Sequence, residues 1–400
     1  MSKSYYSLGL MSGTSMDGVD ASIIQSDGET KYEVILDKYY KYSGSIYKDL
    51  TNLRDRIKTS KDLKKFSKEA IDIEKKITLF HVNAVKEIIK KSKVNVDFIG
   101  FHGQTIFHNA EEKITKQLGD GKLLSKLTKK KVVYDFRQND LKNGGHGAPL
   151  TPIFHKLLVK QNKIPLPVVI LNIGGVANIT SIDKKEKINS YDIGPGNCMI
   201  DEWIRLNSKN RIKYDKDGKI ARSGKTNAKI LKKLVKKYKE IYNGKDQILK
   251  SFDTKDFDLS FVKGLSAKDG AATLTEFTGS LIGGLIYNHI QAKSEINNNF
   301  GYWRVLVCGG GRKNKTLMEN IDKKFPIGKY YLRNAQHVNT CIPPEASPVE
   351  SIDIFNINGD FVESQAFAYL AIRSHLKLPI SFPETTGVKK PCTWGKIIKN

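Results

Sequence analysis

Two aspartates lie beside glycine-rich turns, where a carboxylate can do chemistry. Asp17 falls within GLMSGTSMDG at 9–18, and Asp192 precedes GPGN at 194–197. A carboxylate at the end of a strand can bind a magnesium ion, directly or through water, or take a proton from a hydroxyl group or a water molecule. It can equally cap backbone amides of the turn, which is the common role of aspartate there. For Asp192, which follows a second glycine turn along the chain, we favour the chemical role.

Three separate glycine turns follow apolar, strand-like segments. They are Gly9–Gly18, Gly174–Gly175 after LNI, and Gly309–Gly311 after VLVC. Glycine lets backbone amides approach a phosphate without a Cβ in the way, and hydroxyls such as those of Thr14 and Ser15 add donors. One such turn is usually only a tight connection, but three favour nucleotide binding. The consensus of the P-loop and that of the Rossmann dinucleotide site are both missing, so we expect a phosphate site of another type.

The turns need a framework of strands and helices to bring them together. Segments 6–10 and 19–24 predict one hairpin, and segments 168–172 and 178–182 predict a second that echoes it. A chain of 400 residues also exceeds the roughly 250–300 residues at which single cores stop growing. We therefore expect an α/β protein of two lobes with a cleft between them, related by an internal duplication.

Further segments have the period of a strand or of a helix. Short strands are predicted at 97–101, 132–134, 191–193 and 305–308, and helices at 63–89, as one helix or two, at 199–205 and from Lys315 onward. In 229–238 the apolar residues share one face and four lysines lie elsewhere, which predicts a surface helix with a solvated lysine face.

The chain is strongly basic. It has 67 Lys and Arg against 42 Asp and Glu, a net charge of +25, yet only 10 of the basic residues are Arg. Recognition of bases and phosphates in nucleic acids draws heavily on arginine. We therefore expect a lysine-rich surface and no nucleic-acid partner. A basic nucleic-acid-binding protein remains the alternative, and it predicts binding to DNA or RNA that falls steeply with salt.

Cysteine usage and hydropathy indicate the compartment. Cys198, Cys308, Cys341 and Cys392 lie far apart and form no CxxC pair, which disfavours a disulfide framework and a structural zinc site. No segment approaches the ~18 to 20 apolar residues of a membrane span, and the N-terminus has no signal-peptide pattern. We expect reduced cysteines, no membrane association and a cytoplasmic location.

Motifs across nearly the whole chain resemble those of the anhydro-N-acetylmuramic acid kinase family, in the same order. They are GLMSGTSMDGVDAS at 9–22, FHGQTIFH at 101–108, QLGDG at 117–121, DFRQNDLKNGGHGAPLTPIFH at 135–155, LNIGGVANIT at 171–180, YDIGPGNCMID at 191–201, CGGGRKN at 308–314, ESQAFAYLAIR at 363–373 and TTGVKKP at 385–391. The resemblance implies the two-lobed actin-like ATPase fold, with ribonuclease H-like lobes and ATP in the central cleft. It also implies a homodimer.

The resemblance implies a division of the chain and a reaction. Domain I would comprise 1–135 with roughly 365–400, and domain II would comprise 136–364. Water would open the 1,6-anhydro bridge of the sugar while O6 accepts the γ-phosphate of ATP, with Mg²⁺ bound to the nucleotide. The product would be N-acetylmuramic acid 6-phosphate, formed in the recycling of cell-wall sugars.

Residue roles follow from the same motifs. Asp192 matches the family's catalytic base. The expected ATP-binding residues are Ser12, Gly13, Thr14, Ser15, Met16, Asp17, Gly18 and Val19 in the first phosphate loop, Gly174 and Gly175 in the second, and Gly309, Gly310, Gly311 and Asn314 on the adenosine side. Asp17 is expected near the metal. No His and Cys cluster predicts a tightly held transition metal.

Four residues match substrate-facing positions, namely Arg137, Asp140, Glu363 and Gln104. The planar cation of Arg137 suits the lactyl carboxylate of a muramic sugar, although an ion pair with Asp135 or Asp140 is the structural alternative. Glu363 is expected to orient the attacking water, or else to be an acid favoured at a helix N-terminus. His102 and His108 share the motif of Gln104, but we expect buried, hydrogen-bonded histidines there and no catalyst.

Three features depart from the family pattern. His146 replaces a usual glutamine, Arg312 and Lys313 follow the triple glycine, and the segment 343–360 is longer than usual, which bears on the alignment of Glu363. Two further alternatives remain open, namely a related kinase acting on a levoglucosan-type sugar without the lactyl group, and a nucleotide-binding regulator without catalysis.

Overall fold

Strands and helices alternate along the chain. The computed structural model describes residues 3–242, 251–296, 303–325, 348–393 and 395–398. The strands are β1 (Tyr5–Ser12), β2 (Gly18–Ser26), β3 (Tyr32–Lys41), β4 (Phe98–Asn109), β5 (Ile114–Leu118), β6 (Lys131–Tyr134), β7 (Val168–Ile173), β8 (Val176–Ile182), β9 (Ile188–Pro195), β10 (Arg304–Cys308), β11 (Val349–Ser351), β12 (Pro379–Ser381), β13 (Cys392–Thr393) and β14 (Lys396–Ile398).

The helices pack around these strands. They are α1 (Gly44–Arg56), α2 (Ser60–Lys65), α3 (Ser67–Ser92), α4 (Gly121–Thr128), α5 (Gln138–Lys142), α6 (Pro152–Gln161), α7 (Cys198–Asn207), α8 (Lys219–Arg222), α9 (Ala228–Tyr242), α10 (Ala267–Ile296), α11 (Lys315–Asp322), α12 (Val362–His375) and α13 (Pro383–Thr386). Short 3-10 helices span Lys216–Gly218, Thr254–Asp256, Ser260–Val262, Gly310–Lys313 and Ile352–Phe355.

Two sheets share one topology. The first has the order β14-β6-β4-β1-β2-β3, with β5 paired to β4, and the second has the order β11-β10-β7-β8-β9. In each sheet the first three strands are antiparallel, and two later strands run parallel to the first: β4 and β6 in the first sheet, β10 and β11 in the second. This repeated order is that of ribonuclease H-like lobes. The predicted fold class, α/β with two lobes of the actin-like ATPase type, is confirmed.

The parallel strands place the glycine turns. All six residues of β7 are buried, as expected for a strand covered on both faces. β10 runs parallel to β7 and pairs Cys308 with Asn172, so the turns that follow the two strands emerge at one edge of the second sheet. β1 and β4 are likewise parallel and bring Ser12 beside Gln104.

Helix α12 crosses the first sheet at unusually close range, and glycine makes this possible. Gly9 on β1 pairs with Gly100 on β4. A Cβ on Gly9 would lie 1.8 Å from the carbonyl oxygen of Ser364, and a Cβ on Gly100 would lie 2.1 Å from that of Phe367. The paired glycines therefore form the seat of α12, which carries Glu363 in its first turn.

Most predicted elements are present, with corrections of extent. The segment 63–89 is divided at Phe66 into α2 and α3. The strand predicted at 97–101 runs on to Asn109 as β4, because its polar residues are also paired in the sheet. In α9, Leu234 and Tyr238 are buried and Lys232, Lys233 and Lys236 are exposed, as predicted, whereas the fourth lysine, Lys237, is half-buried over the ring of Phe261.

The expected domain boundaries stay a prediction. Helix α5 contacts β5 and β13, and α12 contacts β1, β2 and β4, whereas α6 contacts β8 and β9 as well as α12. Helices α5 and α12 thus pack against strands of the first sheet, whereas α6 packs against strands of the second sheet and also contacts α12.

Cys198, Cys308 and Cys392 are free thiols, as predicted, and Cys341 lies outside the described residues. Among the helices that the structure describes, none combines the length and the hydropathy of a membrane-spanning segment.

The seat of α12 can be tested by adding single methyl groups. Gly100→Ala forces backbone or helix to shift and should lower the free energy of unfolding by about 1–3 kcal/mol. Gly284→Ala is the matched control, since its Cβ meets nothing within 4 Å and alanine is favoured over glycine inside α10. Urea unfolding measures both. Equal stability of the two variants would contradict the proposed seat.

Candidate active site

The first and second glycine turns meet across the two sheets. We call 13–17 the first turn and 174–175 the second turn. The amide of Gly175 donates a hydrogen bond of 3.1 Å to Oγ1 of Thr14. A Cβ on Gly175 would lie 2.1 Å from that oxygen, so only glycine permits this approach. The carbonyls of Gly174 and Gly175 accept bonds from the amides of Asn197 and Gly196.

The first turn is fixed from within and from neighbouring strands. The amide of Met16, which has φ 57°, donates to the carbonyl of Gly13 at 3.2 Å. Nε2 of Gln104 donates to the same carbonyl at 2.9 Å, and Ser15 donates to the Asp17 carboxylate. Of the expected ATP-binding residues here, those at least partly accessible are Gly13, Thr14, Ser15 and Asp17, and those buried are Ser12, Met16, Gly18 and Val19.

The third turn, 309–311, packs against the end of β7. A Cβ on Gly311 would lie 2.2 Å from the side chain of Ile173, and the amide of Gly309 donates to the carbonyl of Gly359 at 2.9 Å. Gly310 opens a 3-10 helix. Oδ1 of Asn314 caps α11 by accepting from the amide of Leu317 at 3.0 Å, so this oxygen is already engaged.

The two cations after the third turn are held in ion pairs. Nε of Arg312 lies 2.8 Å from Oδ2 of Asp353, and its Nη1 reaches Asp360. Nζ of Lys313 pairs with the same Asp360. This departure from the family pattern therefore ties the third turn to the segment that precedes α12.

Asp192 is a buried carboxylate with one engaged oxygen. It lies on β9, paired with Asn178, and only 7% of it is exposed. Its Oδ2 accepts from the amide of Phe252 at 2.9 Å and from Oγ of Ser251 at 3.3 Å. Burial raises the pKa of Asp192 to about 6, although these bonds and the charge of Arg137 act to lower it.

Arg137 is held by a neutral histidine. Its Nη1 donates to the carbonyl of Gly147 at 2.9 Å, while Nε and Nη2 lie 3.2 and 3.0 Å from Nε2 of His102. Nδ1 of His102 faces the carbonyl of Gly103 at 2.8 Å, so the proton sits on Nδ1 and Nε2 accepts. Burial and Arg137 lower the pKa of His102 to about 3. The structure thus shows neither ion pair suggested for Arg137, and Asp135 pairs with Lys396 instead.

Three carboxylates act on the Arg137 cation. Burial lowers the pKa of Arg137, and the charges of Asp192, Glu363 and Asp140 raise it. Burial raises the pKa of Glu363, whereas the charge of Arg137 and the neighbouring side chain of Asn172, at the end of β7, act to lower it. Glu363 therefore stands at the N-terminus of α12, as the structural alternative expected, and also faces the second sheet.

Asp140 lies behind the site. Its Oδ1 accepts from the amide of Gly147 at 2.6 Å, and its Oδ2 accepts from Oγ1 of Thr386 at 2.6 Å. Both oxygens thus have protein partners. Asp140 fixes the loop that presents the Gly147 carbonyl to Arg137, and we do not carry it into the proposed substrate contacts.

Sequence reasoning missed several neighbours of the site. His102 lies in a recognised motif, but its hydrogen bond to Arg137 depends on tertiary structure. Ser251 is 59 residues from Asp192 and carries no motif. Asp20, just beyond the first phosphate loop, has its pKa raised to about 8 by burial and by the charges of Glu363 and Asp17. The sequence signal for Asp20 was the presence of a second carboxylate, in GVDA at 18–21, shortly after Asp17.

The donor set suits a metal that arrives with a ligand. Within the described ranges, no group of three or more His, Cys, Asp or Glu is arranged to hold a metal ion. Asp17 offers a single partly exposed carboxylate at the first turn. Mg²⁺ commonly binds through one or two carboxylates together with phosphate oxygens and water, and Asp17 fits that pattern.

Comparison with known proteins agrees with the motif resemblance. The family model described as Anhydro-N-acetylmuramic acid kinase matches residues 5–400. The protein of that name from Pelagibacter ubique is 54% identical over 402 residues, covering 100% of each chain, and that from Zymomonas mobilis is 37% identical over 399 residues, covering 98% of each. A solved ROK family glucokinase from Streptomyces griseus, in complex with glucose and AMPPNP, aligns over 92% of this chain and 99% of that chain at 10% identity and TM-score 0.38, which is too distant to bear on the site.

Proposed function

The chain belongs to the anhydro-N-acetylmuramic acid kinase family, and on that premise we propose how its residues carry out the reaction. Water opens the 1,6-anhydro bridge of 1,6-anhydro-N-acetylmuramic acid, and O6 takes the γ-phosphate of ATP. The products are N-acetylmuramic acid 6-phosphate and ADP. The observation that carries the proposal is the buried Asp192 carboxylate beside Arg137, on the sheet whose Gly175 contacts Thr14.

Asp192 is the proposed base. Its Oδ1 has no hydrogen-bond partner among the described residues, whereas Oδ2 is engaged twice. A pKa of about 6 keeps the carboxylate largely ionised at neutral pH and still basic enough to take a proton in the transition state. Oδ1 would accept the proton of the water that attacks C1, and Glu363 would help to orient that water.

The phosphoryl transfer uses the same bond cleavage. When water attacks C1, the bridge oxygen leaves as O6 with its electron pair and becomes the nucleophile toward the γ-phosphorus. No separate alcohol needs to be deprotonated, because bridge opening generates the nucleophile in place. Amides of the first and second turns would hold the phosphates. Mg²⁺ near Asp17, bound with ATP, would neutralise phosphate charge.

Arg137 is the proposed contact for the lactyl carboxylate. A guanidinium has five N–H donors, and three are used by His102 and the Gly147 carbonyl. One N–H remains on each terminal nitrogen, which suits a bidentate bond to a carboxylate. Gln104, whose buried Oε1 has no partner, stays a candidate for substrate contact beside its bond to Gly13. We further propose a cytoplasmic homodimer that acts in the recycling of peptidoglycan sugars.

The role of Asp192 predicts a selective loss. Asp192→Asn should reduce sugar-dependent ADP release by at least about 10²-fold, the size of a general-base contribution, while ATP binding measured by calorimetry is retained. Asp72→Asn is the matched control, since Asp72 is exposed on α3. Full activity of Asp192→Asn would exclude Asp192 as the base, and no sugar-dependent ADP from the unaltered protein would exclude the function.

The role of Arg137 predicts a change in substrate preference. Arg137→Lys keeps the charge but loses the planar fork, so KM for the muramic sugar should rise at least about tenfold, as for a lost charged hydrogen bond. Turnover of levoglucosan, which lacks the lactyl group, should change little. Arg211→Lys, at an exposed position, is the control. A preference of the unaltered enzyme for levoglucosan would overturn the substrate assignment.

A further inference from the structure

The segment 251–256, which we call the strap, lies against β4 of the first sheet. The backbone amide of His108 donates to Oδ2 of Asp253 at 3.2 Å. Nε2 of the His108 ring lies 3.1 Å from Oγ of Ser251. Nζ of Lys255 donates to the carbonyl of Ile106 at 3.2 Å. Three contacts, all with Ile106 or His108 of β4, therefore anchor the strap.

The other side of the strap faces the second sheet. Its Phe252 amide and Ser251 hydroxyl both donate to Oδ2 of Asp192. Thr254 lies beside the second turn, since a Cβ on Gly175 would be 3.3 Å from its methyl group. The strap thus joins β4, the Asp192 carboxylate and the second turn, although these come from different sheets.

The hydrogen bonds of the strap have a defined direction. A serine hydroxyl carries one hydrogen, and that of Ser251 is donated to Asp192. In this arrangement Ser251 accepts from His108, in the tautomer that carries its proton on Nε2. Nδ1 of His108 is then an acceptor and lies 3.1 Å from Oγ1 of Thr115, whose hydroxyl is shared with the Phe107 carbonyl at 3.3 Å. Burial and the charge of Arg137 lower the pKa of His108 to about 3, so the ring holds a single proton.

We propose that His108 is a positioning residue for Asp192: through Ser251 it fixes the strap so that two donors hold Oδ2 as an ionised carboxylate and Oδ1 stays open. This inference rests on the proposed function for the role of Asp192 in the reaction, but its structural part does not. In this proposal a residue of the first lobe, His108, affects the ionisation of the proposed base, Asp192, in the second lobe.

The other charges around Asp192 set the size of the effect. Arg137 lowers the pKa of Asp192, whereas Asp256 of the strap raises it, and burial is the largest cause. Around His108 the neighbouring charged or titratable groups are Arg137, His146 and Asp253, whose carboxylate accepts from the His108 amide. Glu363 shares Arg137 with Asp192. Loss of the Ser251 donor would leave Arg137 and the Phe252 amide against burial and Asp256, so the pKa of Asp192 would rise.

The test compares His108→Leu with His108→Gln. Leucine removes the donor to Ser251, whereas the amide nitrogen of glutamine can take the place of Nε2. His108→Leu should move the acid limb of the kcat/KM profile upward from about pH 6 by roughly half a unit to one unit, as for one hydrogen bond to a carboxylate. It should lower kcat while KM for ATP holds, and His108→Gln should restore most of both effects. A limb that stays in place in His108→Leu would overturn the proposal.

A second readout separates this inference from the proposed function. The ¹³C resonance of the Asp192 carboxyl carbon, assigned with Asp192→Asn, reports its titration without sugar or ATP. His108→Leu, and Ser251→Ala should His108→Leu not fold, must raise the midpoint, and Ser251→Thr must restore it. An unmoved midpoint overturns the inference. A raised midpoint in a protein without sugar-dependent ADP release supports the strap and contradicts the function.

Discussion

Burial of Asp192 opposes the ionised state that its proposed role as a base requires, and the groups around it act against that effect of burial. A carboxylate removed from water loses hydration that only specific donors and cations can replace. Here Arg137 supplies a cation, and the Phe252 amide and Ser251 hydroxyl supply donors to one oxygen. The resulting pKa of Asp192 is about 6. The carboxylate is therefore largely ionised at neutral pH and is a stronger base than an ordinary aspartate.

The groups that set this balance come from elements of both sheets. Asp192 comes from β9, whereas Arg137 is held by His102 on β4. Glu363 reaches the same cation because the paired Gly9 and Gly100 let α12 lie close on the first sheet. A duplicated topology thus serves one asymmetric site. In the proposed reaction each sheet supplies a glycine turn for phosphate, and the two sheets supply different charged groups for the sugar.

The sequence predicted what depends on local pattern. Both hairpins, the glycine turns and the Asp192 position follow from periodicity and motifs, because strand ends and turns are determined by nearby residues. The strap around Ser251 could not be predicted, since Ser251 lies 59 positions after Asp192 in the sequence and contacts it only in the folded protein. Asp140 shows the opposite difficulty: its motif suggested a substrate contact, yet tertiary donors engage both of its oxygens.

The central claim is that Asp192 directs water to C1 of the sugar, so that O6, and not water, attacks the γ-phosphorus of ATP. The fate of the water oxygen tests this claim. A short single-turnover reaction of the enzyme with ATP and 1,6-anhydro-N-acetylmuramic acid in ¹⁸O-labelled water would be followed by mass spectrometry. Unlabelled product incubated alongside would correct for anomeric exchange. The account predicts ¹⁸O at C1 of N-acetylmuramic acid 6-phosphate and none in its phosphate group. ¹⁸O in released phosphate, with the anhydro bridge intact, would contradict it.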